Sequence, residues 1–333
     1  MKISKWSLFL VTSICAFSGC NNGSSGKKTT TASVPPSTSE PAPYENVYPD
    51  YDKHYSGYNF QNQIGNNLQF ELHKYLIEKH QTYVTYGNYW FYANTATDLV
   101  PGTQLNELFY TGKQTSRVSH TGQDREHVWA CAKSNGLWWR HSQVWEYNIN
   151  DRNDKYWGGG SDLFHVRPAT GTGINQKRLD AAFYVFKDSE IGETTQLSDG
   201  GPYRCYVDAS ANRFQVDPAF RGDIARIVMY MWLHYSLIGD VNVYYSPDYK
   251  PVYNINEAVE LSTTHNPNVC GNLLLTDILA YNTVEECYAA LKEWNRIDPP
   301  SAVEVNRNSY VESIQGNRNP FIDYPQLVDR CLV

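Results

Sequence analysis

Two stretches of the chain hold side chains from which phosphodiester-cleaving chemistry could be assembled. Asp124-Arg125-Glu126-His127 sets an imidazole beside a carboxylate, and Asp162-Leu163-Phe164-His165-Val166-Arg167-Pro168 leads on to Asn175-Gln176-Lys177-Arg178. Breaking a phosphodiester needs an in-line nucleophile, neutralised non-bridging oxygens and a stabilised leaving oxygen. A near-neutral imidazole can take the proton from water, and a hard cation held by carboxylate and amide oxygens can carry much of the electrostatic work.

Adjacency constrains the geometry, because neighbours on an extended strand point to opposite faces and make poor ligands of one ion. Glu126 is therefore expected to reach the cation at a strand end or turn, with His127 addressing the attacking water from the other side of the phosphate. Asn175 follows Gly171-Thr172-Gly173, a segment able to turn sharply into a helix, which would bring its amide oxygen to the ion and Lys177 or Arg178 to the phosphate. Plainer readings stay open at this point. One histidine among nine is ordinarily a structural polar residue, and an asparagine after a glycine turn is ordinarily a helix cap. The glycine runs fit neither a dinucleotide fingerprint nor a P-loop, and the H-E-x-x-H pattern of zinc proteases is absent.

The elements that must position these residues are a helix from Leu68 to Lys79, a short strand and turn from Leu105 to Gly112, a turn at Gly87-Asn88 before Tyr89-Trp90-Phe91-Tyr92, a buried helix from Arg221 to Ser236, and a helix from Val284 to Arg296 stopped by Asp298-Pro299-Pro300. The polar string Gly316–Phe321 reads as a loop.

At 333 residues the chain can bury one full catalytic domain, assigned to 61–333. Residues 1–19 carry Lys2 and Lys5, an apolar run from Trp6 to Phe17, and Ser18-Gly19 before Cys20, the layout of an export signal ending at a lipidated cysteine. The pattern resembles a bacterial lipobox with Phe17 in place of the commoner leucine, and a plain secretory signal cut elsewhere is the alternative. Residues 20–60, rich in Ser, Thr, Pro and then Tyr, read as a disordered tether. Five cysteines remain after Cys20, an odd number with no zinc-finger spacing, so internal disulfides would leave one thiol over. A formal charge of −7 argues against a surface that coats polyanions generally. The stretch from Lys113 to Arg226 is nonetheless balanced, with fifteen basic and fourteen acidic residues, and local cations can focus the field there.

Taken together, Tyr110-Thr111-Gly112, Arg125-Glu126-His127-Val128-Trp129, Asp162 to Pro168, Asn175 to Arg178, Asp217 to Asp223, Trp294 to Pro299 and Gln315 to Phe321 resemble the bacterial extracellular endonuclease I family, within the His-Me finger (ββα-metal) nucleases. The resemblance runs from about Leu68 to Tyr324. It implies an α+β fold in which a His-Me finger core, a two-stranded hairpin and a helix, is embedded in additional helices and long loops. It implies His127 as general base, Glu126 and Asn175 as holders of one divalent cation, usually Mg²⁺, with Ca²⁺ and Mn²⁺ left open as alternatives, and Arg167 and Arg178 as phosphate contacts, since a guanidinium fork suits two phosphate oxygens. Arg167 is counted with His127 in the catalytic group. His165, Asp162 and Lys177 are placed around the phosphate or behind the ligands, His165 either orienting the site or packing beside Asp162. Relatives often carry His-His or His-Asn where this chain has Phe164-His165, so whatever support the first position provides is absent here or supplied by another group.

The implied activity is a largely sequence-neutral endonuclease acting on DNA, and on RNA in many relatives, leaving 5′-phosphate and 3′-hydroxyl ends. The implied setting is export, with attachment to the cell surface or outer membrane through Cys20 or release from it, and no obligate protein partner. The competing reading is a surface lipoprotein that binds glycans or peptides through its many aromatic side chains without catalysis.

Overall fold

The computed structural model describes residues 48–82, 84, 86–133, 159–236 and 273–333, and the backbone of three two-residue strands, Tyr244–Tyr245, Pro251–Val252 and Asn268–Val269. The export signal, the tether as far as residue 47, Cys270 and the side chain of Cys131 lie outside the described residues.

Four longer helices build the scaffold. α1 (Gly65–Lys79) buries Leu68, Leu72, Tyr75, Leu76 and Ile77, a stripe at helical spacing that begins one turn before the expected start. α2 (Arg221–Tyr235) is enclosed along nearly its whole length, as its apolar sequence requires. α3 (Val284–Ile297) and α4 (Ala302–Gln315) each open on a capping box, Thr283 with Glu286 and Ser301 with Glu304, so their first backbone N–H groups are satisfied by side chains. Asp298-Pro299-Pro300 separates them as expected, and α4 ends at Gly316, whose φ of +93° suits glycine. α2 meets the end of α3 at Gly222, where a Cβ would stand 1.8 Å from the Asp298 carbonyl oxygen. Arg226 joins the helices there, donating twice to Glu304 at 2.8 and 2.6 Å and once to the Asp298 carbonyl at 2.7 Å.

The strands form small separate sheets. β1 (Asn106–Leu108) and β2 (Lys113–Thr115) make a hairpin, and β3 (Gln123–His127) pairs antiparallel with β4 (Val166–Thr170). A four-stranded sheet takes the order β5-β8-β7-β6 from Ala182–Phe183 (β5), Thr195–Leu197 (β6), Cys205–Asp208 (β7) and Arg213–Gln215 (β8), with β5 parallel to β8. The fold is α+β. Beyond β4 the chain makes a wide turn over Gly171–Asn175 and one helical turn over Gln176–Arg178.

One boundary moves. The stretch read as the end of the tether is part of the domain, because Tyr51, Tyr55 and Phe60 are buried. Tyr55 packs on Tyr75 with ring centroids 4.9 Å apart, and Tyr51 lies 5.8 Å from Tyr324. Tyrosines supply here the burial that a scarcity of aliphatic side chains had seemed to deny. Among the described residues Cys205, Cys287 and Cys331 are free and buried, and no helix is long and apolar enough to cross a membrane.

Candidate active site

β3 carries the central residues on its two faces. Opposite it on β4, Glu126 pairs with Arg167 and His127 with Val166. Strand alternation sets Asp124 and Glu126 on one face and Arg125 and His127 on the other, as adjacency demanded.

On the first face Glu126 is buried, and its Oε1 accepts from the Tyr110 hydroxyl at 2.6 Å and from Arg178 Nη1. Burial raises the Glu126 carboxyl above the ordinary range, while Arg178 and then Tyr110 pull it back toward ionisation. Tyr110 reaches it from the turn of the β1–β2 hairpin with φ +75°, a backbone conformation uncommon for a bulky residue. Asp124, two residues before Glu126, accepts from Asn175 Nδ2 at 3.2 Å. A Cβ on Gly171 would stand 3.0 Å from Asp124 Oδ2, so glycine there is what lets the wide turn close over the carboxylate. The structure thus brings Asn175 to Asp124, next to Glu126 along one strand face. This set of carboxylate and amide oxygens has the chemistry that hard divalent cations select.

On the second face the His127 ring is stacked on Tyr86, centroids 5.2 Å apart and 18° from parallel, and lies 5.2 Å from His165. Arg125 lies over the other half of this aromatic contact, its guanidinium carbon 3.5 Å from the Tyr86 centroid. His127 Nε2 is 2.8 Å from the Gly160 carbonyl oxygen. A carbonyl only accepts, so the proton sits on Nε2 and Nδ1 of the neutral ring carries the lone pair. Burial pulls the His127 pKa down to about 4, against the Gly160 carbonyl, with Arg125 and Arg178 adding to the fall. The ring is neutral at physiological pH, as a proton acceptor must be.

Arg178 is a clamp inside the fold. It is buried, and besides Glu126 it donates to the carbonyls of His127 at 2.9 Å and Val128 at 2.8 Å, with its guanidinium 4.5 Å above the Phe183 ring. Arg167 is placed elsewhere again, buried against Asp98 (Nε to Oδ1, 3.1 Å) and 4.3 Å above the Phe109 ring. Both guanidiniums, expected at the phosphate, are instead enclosed against carboxylates, Arg167 on Asp98 and Arg178 on Glu126, each closing a charge that the fold had to desolvate. Lys177, by contrast, is exposed on the same helical turn as Arg178. His165 accepts from the Trp129 backbone N–H at 3.1 Å through Nδ1 and packs beside His127. Asp162 belongs to a different buried cluster, where Tyr230 and Tyr235 each donate to its Oδ2 at 2.7 Å.

The sequence reading had not assigned Tyr86, Tyr110, Gly160 or a ligand role for Asp124. Asp124 stood within the reactive string and Tyr110 within a recognised motif, so both had a local signal; Tyr86 and the Gly160 carbonyl act through contacts that only folding creates.

Comparison with known proteins bears on the chemistry. The family model described as Endonuclease I matches residues 57–257 and 276–326. The extracellular ribonuclease of Bacillus subtilis (strain 168) is 28% identical over 288 residues, covering 85% of this chain and 79% of the relative. The extracellular ribonuclease of Bacillus amyloliquefaciens is 27% identical over 276 residues, covering 80% and 73%. With a match across most of its length, including both reactive strings, this chain belongs to the Endonuclease I family of nucleases.

Proposed function

We propose that the protein is a divalent-metal-dependent endonuclease that hydrolyses DNA and RNA with little sequence preference, leaving 5′-phosphate and 3′-hydroxyl ends. The observation that carries this reading is the neutral His127 ring, held through Nε2 by the Gly160 carbonyl at the end of the strand whose other face bears Asp124, Glu126 and the nearby Asn175.

Glu126 and Asn175, with Asp124 beside them, would hold the cation. When bound, Mg²⁺ supplies charge neutralisation at the non-bridging and leaving oxygens of the phosphate. His127 Nδ1 takes a proton from water, and the Gly160 carbonyl steadies the imidazolium that results. The water oxygen forms the new bond to phosphorus as the bond to the 3′-oxygen breaks, and that oxygen takes a proton from solvent water, which gives the ends named above. Tyr86 keeps the imidazole in plane, Arg178 fixes the carbonyls on either side of the strand end, and Lys177 meets a flanking phosphate through charge alone.

Action on RNA draws support from the two relatives named as ribonucleases, and export from their being named extracellular. Surface retention through Cys20 rests on the leader pattern. Plasmid nicking and digestion of a single-stranded RNA, each with Mg²⁺, with EDTA and with His127→Ala, test the activity. Cutting that survives EDTA, or that survives His127→Ala, overturns it.

A further inference from the structure

A second set of donor atoms meets in the interior, away from the β3 face. His80 follows directly on α1, Asp162 opens the turn that leads into β4, and His234 lies in the last turn of α2. All three are buried, and their ligand atoms lie within 4.8 Å of one another. Nδ1 of each imidazole is 3.7 Å from Asp162 Oδ2, and the two rings are 5.0 Å apart.

The proton positions make this arrangement informative. His80 Nε2 lies 3.2 Å from the Thr82 carbonyl oxygen, which can only accept. The proton of neutral His80 is therefore on Nε2, and Nδ1 presents its lone pair toward a carboxylate oxygen. Among the described residues the ion-pair partners of Asp162 are these two imidazoles, and no arginine or lysine is paired with it. Neutral donors hold the carboxylate, the Tyr230 and Tyr235 hydroxyls at 2.7 Å, the Phe164 N–H at 2.9 Å and Gln315 Nε2 at 3.2 Å, and a cation between Asp162 and the His80 lone pair would draw the two together.

We propose that His80, Asp162 and His234 form a structural site for a divalent transition cation of the zinc type, distinct from the hydrolytic cation. Two imidazole nitrogens and one carboxylate oxygen favour zinc over Mg²⁺ or Ca²⁺, which prefer all-oxygen shells. Zinc bonds of about 2.0–2.2 Å place tetrahedral ligand atoms about 3.4 Å apart, so the 3.7 Å separations need to contract by only a few tenths of an ångström. The Tyr230 hydroxyl donates its one proton to Asp162 Oδ2 at 2.7 Å and so accepts from His234 Nδ1 at 3.1 Å; binding the cation through that nitrogen moves the His234 proton to Nε2. The bound cation ties α1, α2 and the Asp162 turn together. That turn neighbours the Gly160 carbonyl and His165, both of which seat His127, so the site steadies the hydrolytic centre from behind.

Cobalt titration of the EDTA-dialysed protein tests this directly. The parent and Glu126→Gln proteins should both take up one equivalent of Co²⁺ with the intense visible bands of a tetrahedral nitrogen-bearing site, and Zn²⁺ should displace it and raise the thermal midpoint. His80→Gln, which keeps a donor for Thr82, should lose the bands and the Zn²⁺-induced shift. Binding that disappears in Glu126→Gln but persists in His80→Gln overturns the proposal, as does a parent spectrum of the weak octahedral, all-oxygen type. The parent and Glu126→Gln spectra decide the matter even if His80→Gln does not fold. Hydrolysis is read separately, so a failed cobalt experiment leaves the nuclease assignment standing, and a failed nicking assay leaves the buried site standing.

Discussion

Replacing Arg178 by methionine removes a guanidinium that is simultaneously the counter-charge of Glu126 and the partner of two backbone carbonyls at the end of β3. Methionine keeps most of the volume, so packing loss is small and the electrostatic term dominates. Breaking a buried ion pair from one side costs roughly 3–5 kcal/mol, because the remaining charge is left desolvated. In a domain of this size each kcal/mol moves the midpoint by roughly 2–4 °C, so Arg178→Met should melt about 10 °C lower by calorimetry. Adding Glu126→Gln removes the stranded carboxylate and should recover part of that loss, giving a double variant more stable than additivity allows. If Arg178 instead faced substrate, the midpoint would hardly move, the two substitutions would add, and the salt dependence of DNA binding would fall by about one phosphate contact. That pattern would refute the internal-clamp account.

Further outcomes follow from the same contacts. His127→Ala should lower plasmid nicking by roughly 10²–10⁴-fold, the usual worth of a positioned general base, while the Mg²⁺ concentration for half-maximal rate is little altered. Gly222→Ala forces a Cβ onto the Asp298 carbonyl oxygen and should destabilise by about 3 kcal/mol or more, seen as a lower urea midpoint, since a backbone atom inside packed helices cannot step aside. Gly171→Ala should displace Asp124 and raise the Mg²⁺ requirement with a smaller change in stability; an unchanged requirement would remove Asp124 from the ligand set. His73, buried and donating to the Leu233 carbonyl at 2.5 Å, is held at about 4 by desolvation against 6.5 when unfolded. Below pH 6.5 the unfolded chain binds the extra proton, so stability is full above that value and falls as the pH drops toward 4, by up to roughly 3 kcal/mol from this residue. Urea midpoints at pH 7 and pH 5 should differ, and His73→Gln should reduce the difference by this residue's share, leaving that of the other buried histidines such as His127.

Local chemistry made much of this protein legible. α1, α2 and α3 were visible because a helix buries residues at a fixed spacing, and the Pro299-Pro300 stop was visible because proline forbids its continuation. The opposed faces of Glu126 and His127 followed from strand alternation alone. Long-range partners were not written locally. Nothing in the spacing of Arg167 and Arg178 says that each is enclosed against a carboxylate from another element, because a guanidinium suits a phosphate and a buried carboxylate equally well. The Tyr-rich segment before residue 61 looked like tether because it lacks aliphatics, and only Tyr75 and Tyr324, distant in sequence, give its rings somewhere to pack. His80, Asp162 and His234 lie on three elements far apart in the chain, so no motif could announce them. The sequence by itself determined which reactive groups the protein owns and the local elements that carry them. Tertiary structure alone decided which of those groups meet, which are desolvated, and therefore which charges are enclosed in the fold and which stay exposed, because burial and Coulomb energy depend on distance in space and not on separation along the chain.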